Sequence, residues 1–199
     1  MIRNSLRIHK YIQGTEVEGP GKRFGLWVQG CSIHCRGCAE KRLWDFNSGY
    51  DMDVKQLFEI IKKDASIEGI TVLGGEPFEQ ATPLGILLEM CQKANLNVIT
   101  FTGFELELLL AKRDAAIDKV LMNTDLLIDG AFKQELLDYS RPWVGSINQR
   151  YLFLSDRFKK LQDDFRNYQN RMEIRIDKNG VVQANGMWKK STISKIMEV

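Results

Sequence analysis

Phe24-Gly25-Leu26-Trp27-Val28-Gln29-Gly30-Cys31-Ser32-Ile33-His34-Cys35-Arg36-Gly37-Cys38 is the stretch on which the reading of this chain turns. Its first half is a short apolar run of the kind that forms a buried strand. Gly30 ends the run, and three cysteines come at once in the spacing C-x3-C-x2-C. The thiols are therefore expected in a loop just beyond the end of a core strand. Three thiolates on a tight loop are soft ligands for iron–sulfur or zinc. Structural zinc takes four ligands, usually as two spaced pairs. The chain has two histidines, and His34 adjoins Cys35, so both are poorly placed to face one small ion. A 4Fe–4S cluster normally takes four cysteines. Three would leave one iron open to an outside ligand, which an enzyme can use and a simple electron carrier cannot. A zinc-binding or ferredoxin-like interaction module remains the non-enzymatic rival, and metal content separates the two.

Outward from this stretch, strand and helix signals alternate. Leu6 to Ile12 reads as a strand, and Gly14 and Gly19-Pro20-Gly21 punctuate the chain beyond it. Val54, Leu57, Phe58 and Ile61 recur at helical spacing, with Asp53 placed to cap them. Ile70 to Leu73 is a β-branched strand run closed by Gly74-Gly75. Leu84 to Ala94 reads as helix with Pro83 in its first turn, Asn97 to Phe101 as strand, Phe104 to Lys112 as helix, and Leu126 to Ile128 as strand. Cys91 belongs to the buried side of its helix and is read as structural. The Leu106 to Leu110 run is read as helix core. This alternation predicts an α/β domain with a parallel sheet. In such folds the site lies at the C-terminal edge of the strands, because the loops converge there. The cysteine loop, Gly74-Gly75-Glu76, Thr102-Gly103 and Asp129-Gly130 are expected on that one edge.

After Arg150 the texture changes. Asp156 to Arg171 is charged and weakly periodic, and Met172 to Ala184 reads as a hairpin turning at Asn179-Gly180. The expected division is a core over residues 1–150 and an accessory C-terminal segment over 151–199. Of 199 residues, 28 are basic and 26 acidic, so the net charge of +2 gives no footprint for nucleic acid or a membrane surface. No apolar run approaches the roughly 18 residues of a membrane helix. Residues 1–21 are polar and lack the apolar core of a signal peptide, so a cytoplasmic protein with reduced thiols is expected. Gly19-Pro20-Gly21-Lys22 is not a phosphate loop, because its glycine spacing is wrong and Arg23 stands where Ser or Thr is needed.

The spacing of Cys31, Cys35 and Cys38 resembles the radical S-adenosylmethionine (SAM) enzymes. Gly74-Gly75-Glu76-Pro77, starting 36 residues after Cys38, is similar to that superfamily's Gly-Gly-Glu element. Gly37 departs from the aromatic residue often found before the last cysteine. Several further segments resemble the activating proteins of anaerobic ribonucleoside-triphosphate reductase, in order along residues 5–150. They are Gly19 to Phe24, Gln29-Gly30-Cys31, Trp44 with Asn47-Ser48-Gly49, Phe101-Thr102-Gly103-Phe104, Leu127 to Phe132, and Trp143 to Arg150, where Val144 replaces an arginine.

The resemblance implies a partial (β/α) barrel of the radical SAM type, with residues 151–199 as a small appendage bearing a β-hairpin. It implies a 4Fe–4S cluster on Cys31, Cys35 and Cys38, with SAM on the open iron. Gly74, Gly75 and Glu76 would contact the cofactor, and so would Thr102, Gly103 and Asp129 at their strand ends. Asn148 and Arg150 read nearly as well as a solvated loop, and His34 as an exposed loop histidine. The implied activity makes a 5′-deoxyadenosyl radical and places a glycyl radical on an anaerobic ribonucleotide reductase. A flavodoxin- or ferredoxin-type protein would supply the electron. The alternative within the lineage is an enzyme acting on a small molecule or peptide, motivated by the extra C-terminal segment.

Overall fold

A computed structural model describes residues 4–187; of the expected segment 151–199, residues 188–199 lie outside the described residues. Seven strands form one sheet: β1 (Ser5–Thr15), β2 (Arg23–Val28), β3 (Tyr50–Asp53), β4 (Gly69–Gly74), β5 (Asn97–Phe101), β6 (Leu126–Asp129) and β7 (Arg150–Phe153). Their order is β3-β1-β2-β4-β5-β6-β7. The central four, β2, β4, β5 and β6, are mutually parallel. β1 runs antiparallel to β2, and β7 antiparallel to β6. The fold is therefore mixed α/β around a large sheet with a parallel centre.

Side-chain alternation along the strands sorts two cores. Phe24, Leu26 and Val28 of β2, Ile70 and Val72 of β4, Val98 of β5 and Leu127 of β6 face one side. There they meet Leu57 and Ile61 of α1 (Val54–Lys62) and Leu84, Leu87, Leu88 and Cys91 of α2 (Ala81–Lys93). Each such side chain, fully buried, contributes about 1.5–3 kcal/mol. Asp53 caps α1 as expected, accepting from the Lys55 and Gln56 amides. The intervening residues face the other side: Ile99, Leu126 and Ile128 pack under Trp143, Val144, Phe158 and Leu161.

Three expectations change. α2 begins at Ala81, three residues before the expected start, because Pro83 still falls in its first turn, where a missing N–H costs nothing. The next helix, α3, covers only Leu106–Ala111, because the Leu106 amide is held by the Asp129 carboxylate and the Phe104 carbonyl accepts from Gly130. Its leucine run is not all core: Leu109 is buried while Leu108 and Leu110 are exposed. A further helix, α4 (Ala115–Met122), and the strands β3 and β7 were not anticipated.

Strand β7 spans residue 150 and carries the sheet into the C-terminal segment, which continues through α5 (Lys159–Asp164) to the hairpin β8 (Met172–Ile176) and β9 (Val182–Gly186). The hairpin docks on residues 13–18. Arg175 donates to the Gln13 and Gly14 carbonyls, and Glu18 accepts from the Asn185 side chain and the Gly186 amide. Thr15 registers with Arg23, the first residue of β2, so the hairpin sits at the end of the strands opposite the cysteines. Among the described residues no helix is long and apolar enough to cross a membrane.

Candidate functional site

Strand β2 delivers the cysteine loop, and backbone hydrogen bonds close the loop's base. The Gly30 amide donates to Leu43 O at 2.9 Å and the Cys31 amide to Trp44 O at 3.2 Å. All four cysteines are free thiols; Cys31 is buried, Cys35 and Cys38 half-buried. The Glu40 amide donates to Cys38 Sγ at 3.4 Å, and the backbone amides of Ile33 and His34 act electrostatically on Cys31, as that of Phe132 does on Cys35. Burial pushes the Cys31 and Cys35 thiols up, and these N–H groups oppose it. Such donors stabilise a thiolate more than a thiol and so offset part of the effect of burial. Among the described residues no three His, Cys, Asp or Glu side chains converge tightly enough to hold a single metal ion.

Strand β4 ends beside this loop. The Gly75 amide donates to Val28 O and the Glu76 amide to Gly30 O, each at 2.8 Å. The close approach expected of the two glycines is taken up by this neighbouring backbone. A Cβ on Gly74, whose φ is +113°, would stand 2.6 Å from the Val28 nitrogen, and one on Gly75 would overlap the Gly30 carbonyl oxygen.

Glu76 is 1% exposed. Its Oε1 accepts from Thr102 Oγ1 at 2.8 Å and the Phe78 amide at 3.0 Å, and its Oε2 from the Gly103 amide at 2.9 Å. Burial pushes its carboxyl up to about 7, against the pull of those three donors. Gly103 also abuts the cysteine loop, since a Cβ there would lie 2.6 Å from Ile33 Cδ1. Cys31, Cys35, Cys38, Gly74, Gly75, Glu76, Thr102 and Gly103 thus come together at the C-terminal edge of β2, β4 and β5.

Asp129 lies one strand further on, fully buried, with both carboxylate oxygens engaged. Arg150 Nε donates to its Oδ1 at 2.9 Å, and the Leu106 amide to its Oδ2 at 2.8 Å. Arg150 also pairs with Glu107. The pair Asp129–Arg150 locks the edge between β6 and β7. Asn148 Nδ2 donates to Ala131 O at 2.8 Å and so belongs to the turn after β6 rather than to a solvated loop. His34 is exposed and stacks on Trp44.

Three thiols on a strand-end loop at the parallel centre of a mixed α/β sheet are a donor set suited to an iron–sulfur cluster. Residues 17–152 match the family described as the 4Fe-4S single cluster domain. The chain is 36% identical over 149 residues to the anaerobic ribonucleoside-triphosphate reductase-activating protein of Pasteurella multocida (strain Pm70), spanning 70% of this chain and 92% of that one. It is 32% identical over 155 residues to the protein of the same name from Vibrio cholerae serotype O1, spanning 72% of this chain and 96% of that one. It is also 31% identical over 152 residues to the pyruvate formate-lyase 1-activating enzyme of Escherichia coli (strain K12), spanning 73% of this chain and 59% of that one. The chain belongs to the 4Fe-4S single cluster domain family and, within it, to the radical SAM activating enzymes that include the anaerobic ribonucleoside-triphosphate reductase-activating proteins.

Proposed function

We propose that this chain uses a 4Fe–4S cluster and SAM to install a glycyl radical on a partner anaerobic ribonucleotide reductase, in a reducing cytoplasmic compartment. Cys31, Cys35 and Cys38 would hold the cluster, and the observation that carries the reading is their setting. Three free thiols on one loop stand beside a buried carboxylate at one strand edge. When bound, the cluster and SAM supply reductive cleavage of a sulfonium, giving methionine and a 5′-deoxyadenosyl radical able to take hydrogen from a glycine Cα.

The chain's own residues bind, orient and exclude water. Glu76 offers a carboxylate to an ammonium group, and such a charge would draw it into its ionised form. Thr102 and Gly103 hold that carboxylate in place, while Gly74 and Gly75 keep the Glu76 loop against β2. Asp129 acts from the next strand, through Arg150 and the start of α3. The sheet would serve as the open (β/α) barrel of the superfamily, with residues 1–150 as its core and 151–199 as the accessory segment. The reading of a small-molecule substrate drew on that segment. Its hairpin docks on residues 13–18, at the far end of the strands, and so does not favour it.

The test is anaerobic reconstitution followed by iron and sulfide analysis and a dithionite-driven assay for 5′-deoxyadenosine, with Cys35→Ala as control. Mixing with an anaerobic ribonucleotide reductase of the same source should then give a glycyl radical by electron paramagnetic resonance. Colourless protein holding one zinc would overturn the chemistry. 5′-Deoxyadenosine without a radical on the reductase would overturn the partner.

A further inference from the structure

The turn Pro77–Gln80, which follows Glu76 directly, grips the chain on both sides of Cys31. The two carbonyls before Cys31 are both taken by this stretch: Gly30 O by the Glu76 amide at 2.8 Å, and Gln29 O by Gln80 Nε2 at 3.1 Å. Past Cys31, the Ser32 hydroxyl donates to Glu79. Successive carbonyls of a strand point to opposite neighbours. The turn therefore passes across the end of β2, from the β4 side at Glu76 to the β1 side at Gln80.

Gln80 is the far anchor of this crossing. Its Oε1 accepts the Arg7 amide at 2.7 Å, and its Nε2 donates to Arg7 O at 2.9 Å as well as to Gln29 O. One side-chain amide thus serves both backbone groups of a β1 residue and a carbonyl at the end of β2, as a further strand residue would. The same two residues hold the return of the cysteine loop. Gln29, 1% exposed, donates through Nε2 to Arg42 O at 3.0 Å and Asp45 O at 2.8 Å. The Arg7 guanidinium donates to the Asn47 and Ser48 carbonyls. Gln80 stands immediately before α2, yet its side chain caps none of that helix's amides. No motif marks it in the sequence, because its partners lie 51 and 73 residues away.

We propose that Gln80 is a positioning residue that fixes the separation between Cys31 and the Glu76 carboxylate. The inference rests on the function proposed above, in which one cofactor reaches both the metal at the cysteine loop and Glu76. Two anchors for one ligand work only when each is held to within about 0.5 Å. The bond from the Glu76 amide to Gly30 O is by itself a hinge. Gln80 adds a second point on the neighbouring carbonyl, from the opposite side of the strand, and stops the turn from rotating about the first. It acts through the backbone of residues 7 and 29 alone.

The test sets Gln80→Leu, which keeps bulk and removes all three bonds, against Cys91→Ala, which lowers stability from within the α2 core. In full-length, reduced apoprotein, hydrogen exchange of the Glu76 amide should quicken about tenfold or more in Gln80→Leu, beyond any change that Cys91→Ala produces. In the cluster-loaded protein, Gln80→Leu should keep its iron. The SAM concentration that half-saturates the change in the electron paramagnetic resonance of the reduced cluster should rise about tenfold, and Cys91→Ala should leave it unchanged. Gln80→Glu keeps the acceptor for the Arg7 amide, loses both donations and should shift both readouts the same way; it replaces Gln80→Leu if that variant does not fold. Wild-type exchange and half-saturation in the Gln80 variants would overturn the proposal. Equal shifts in Gln80→Leu and Cys91→Ala would overturn it too, making Gln80 a general support of the fold. If SAM leaves the wild-type spectrum unchanged, the parent reading fails, and exchange at the Glu76 amide still decides whether Gln80 holds the turn.

Discussion

Glu76 should make the cluster-free protein lose stability as pH rises. Burial lifts its carboxyl from the ordinary 4.5 to about 7 in the folded chain. Between those values the folded state holds a proton that the unfolded state has released, so this contribution is complete below the unfolded value and gone above the folded one. A gap of about 2.5 pH units at about 1.36 kcal/mol each gives about 3 kcal/mol. Glu76→Gln removes the titration and keeps the shape. One of the three donors now held by Glu76 would face an amide NH2, which costs about 1 kcal/mol at every pH. The stability of the variant relative to wild type should therefore climb by about 3 kcal/mol between roughly pH 4 and pH 8, since other titrating groups cancel in the difference. Urea denaturation of anaerobic, reduced apoprotein across that range measures it. A difference curve flat to within about 1 kcal/mol would refute the buried, proton-holding carboxyl.

Cys35→Ala should abolish iron retention after reconstitution, whereas Cys91→Ala should keep it at a stability cost of about 1 kcal/mol, because Cys91 is wholly buried in α2 with its thiol pushed up to about 12. Gly74→Ala forces a Cβ against Val28 at a positive φ and should cost about 2 kcal/mol or more, with lower cluster occupancy by iron assay. Arg150→Met leaves the buried Asp129 carboxylate with the Leu106 amide alone and should cost about 2 kcal/mol in urea denaturation. Adding Asp129→Asn should recover part of that loss, and an additive double variant would show that the two residues are not coupled.

The strands legible from sequence are those whose order is written in apolar runs closed by glycine. β2, β4 and β5 fall where Phe24 to Gln29, Ile70 to Leu73 and Asn97 to Phe101 place them. Strand β3 was not, because Tyr50-Asp51-Met52-Asp53 has no buried period; the backbone of β1 recruits it, pairing Ser5 with Asp53 and Ile8 with Tyr50. Helix α4 did carry a signal, the Asp114 side chain that accepts the Ala116 amide, but it follows α3 too closely for periodicity alone to divide them. At the site, residue types and strand ends were readable, while their engagements were not. Thr102 and Gly103 meet Glu76 across 26 and 27 residues, and such a contact exists only once β4 and β5 are in register.

That contact also decides how the site behaves as a unit. Glu76 can be buried without prohibitive cost only if three donors reach it, and two come from the end of β5. Its own amide is spent on Gly30 O, one residue before Cys31, and Gly103 packs on Ile33 within the cysteine loop. The thiol loop, the Gly74-Gly75-Glu76 turn and the Thr102-Gly103 turn therefore cannot move independently, because displacing any one leaves a buried carboxylate or a buried amide without its partner. A ligand that pairs with Glu76 would satisfy the charge that burial now suppresses, and in doing so would bear on the strand end that holds Cys31. Under the proposed function, cofactor binding at the carboxylate and order in the thiol loop would be one equilibrium, with the hydrogen bond from the Glu76 amide to Gly30 O as its shared link.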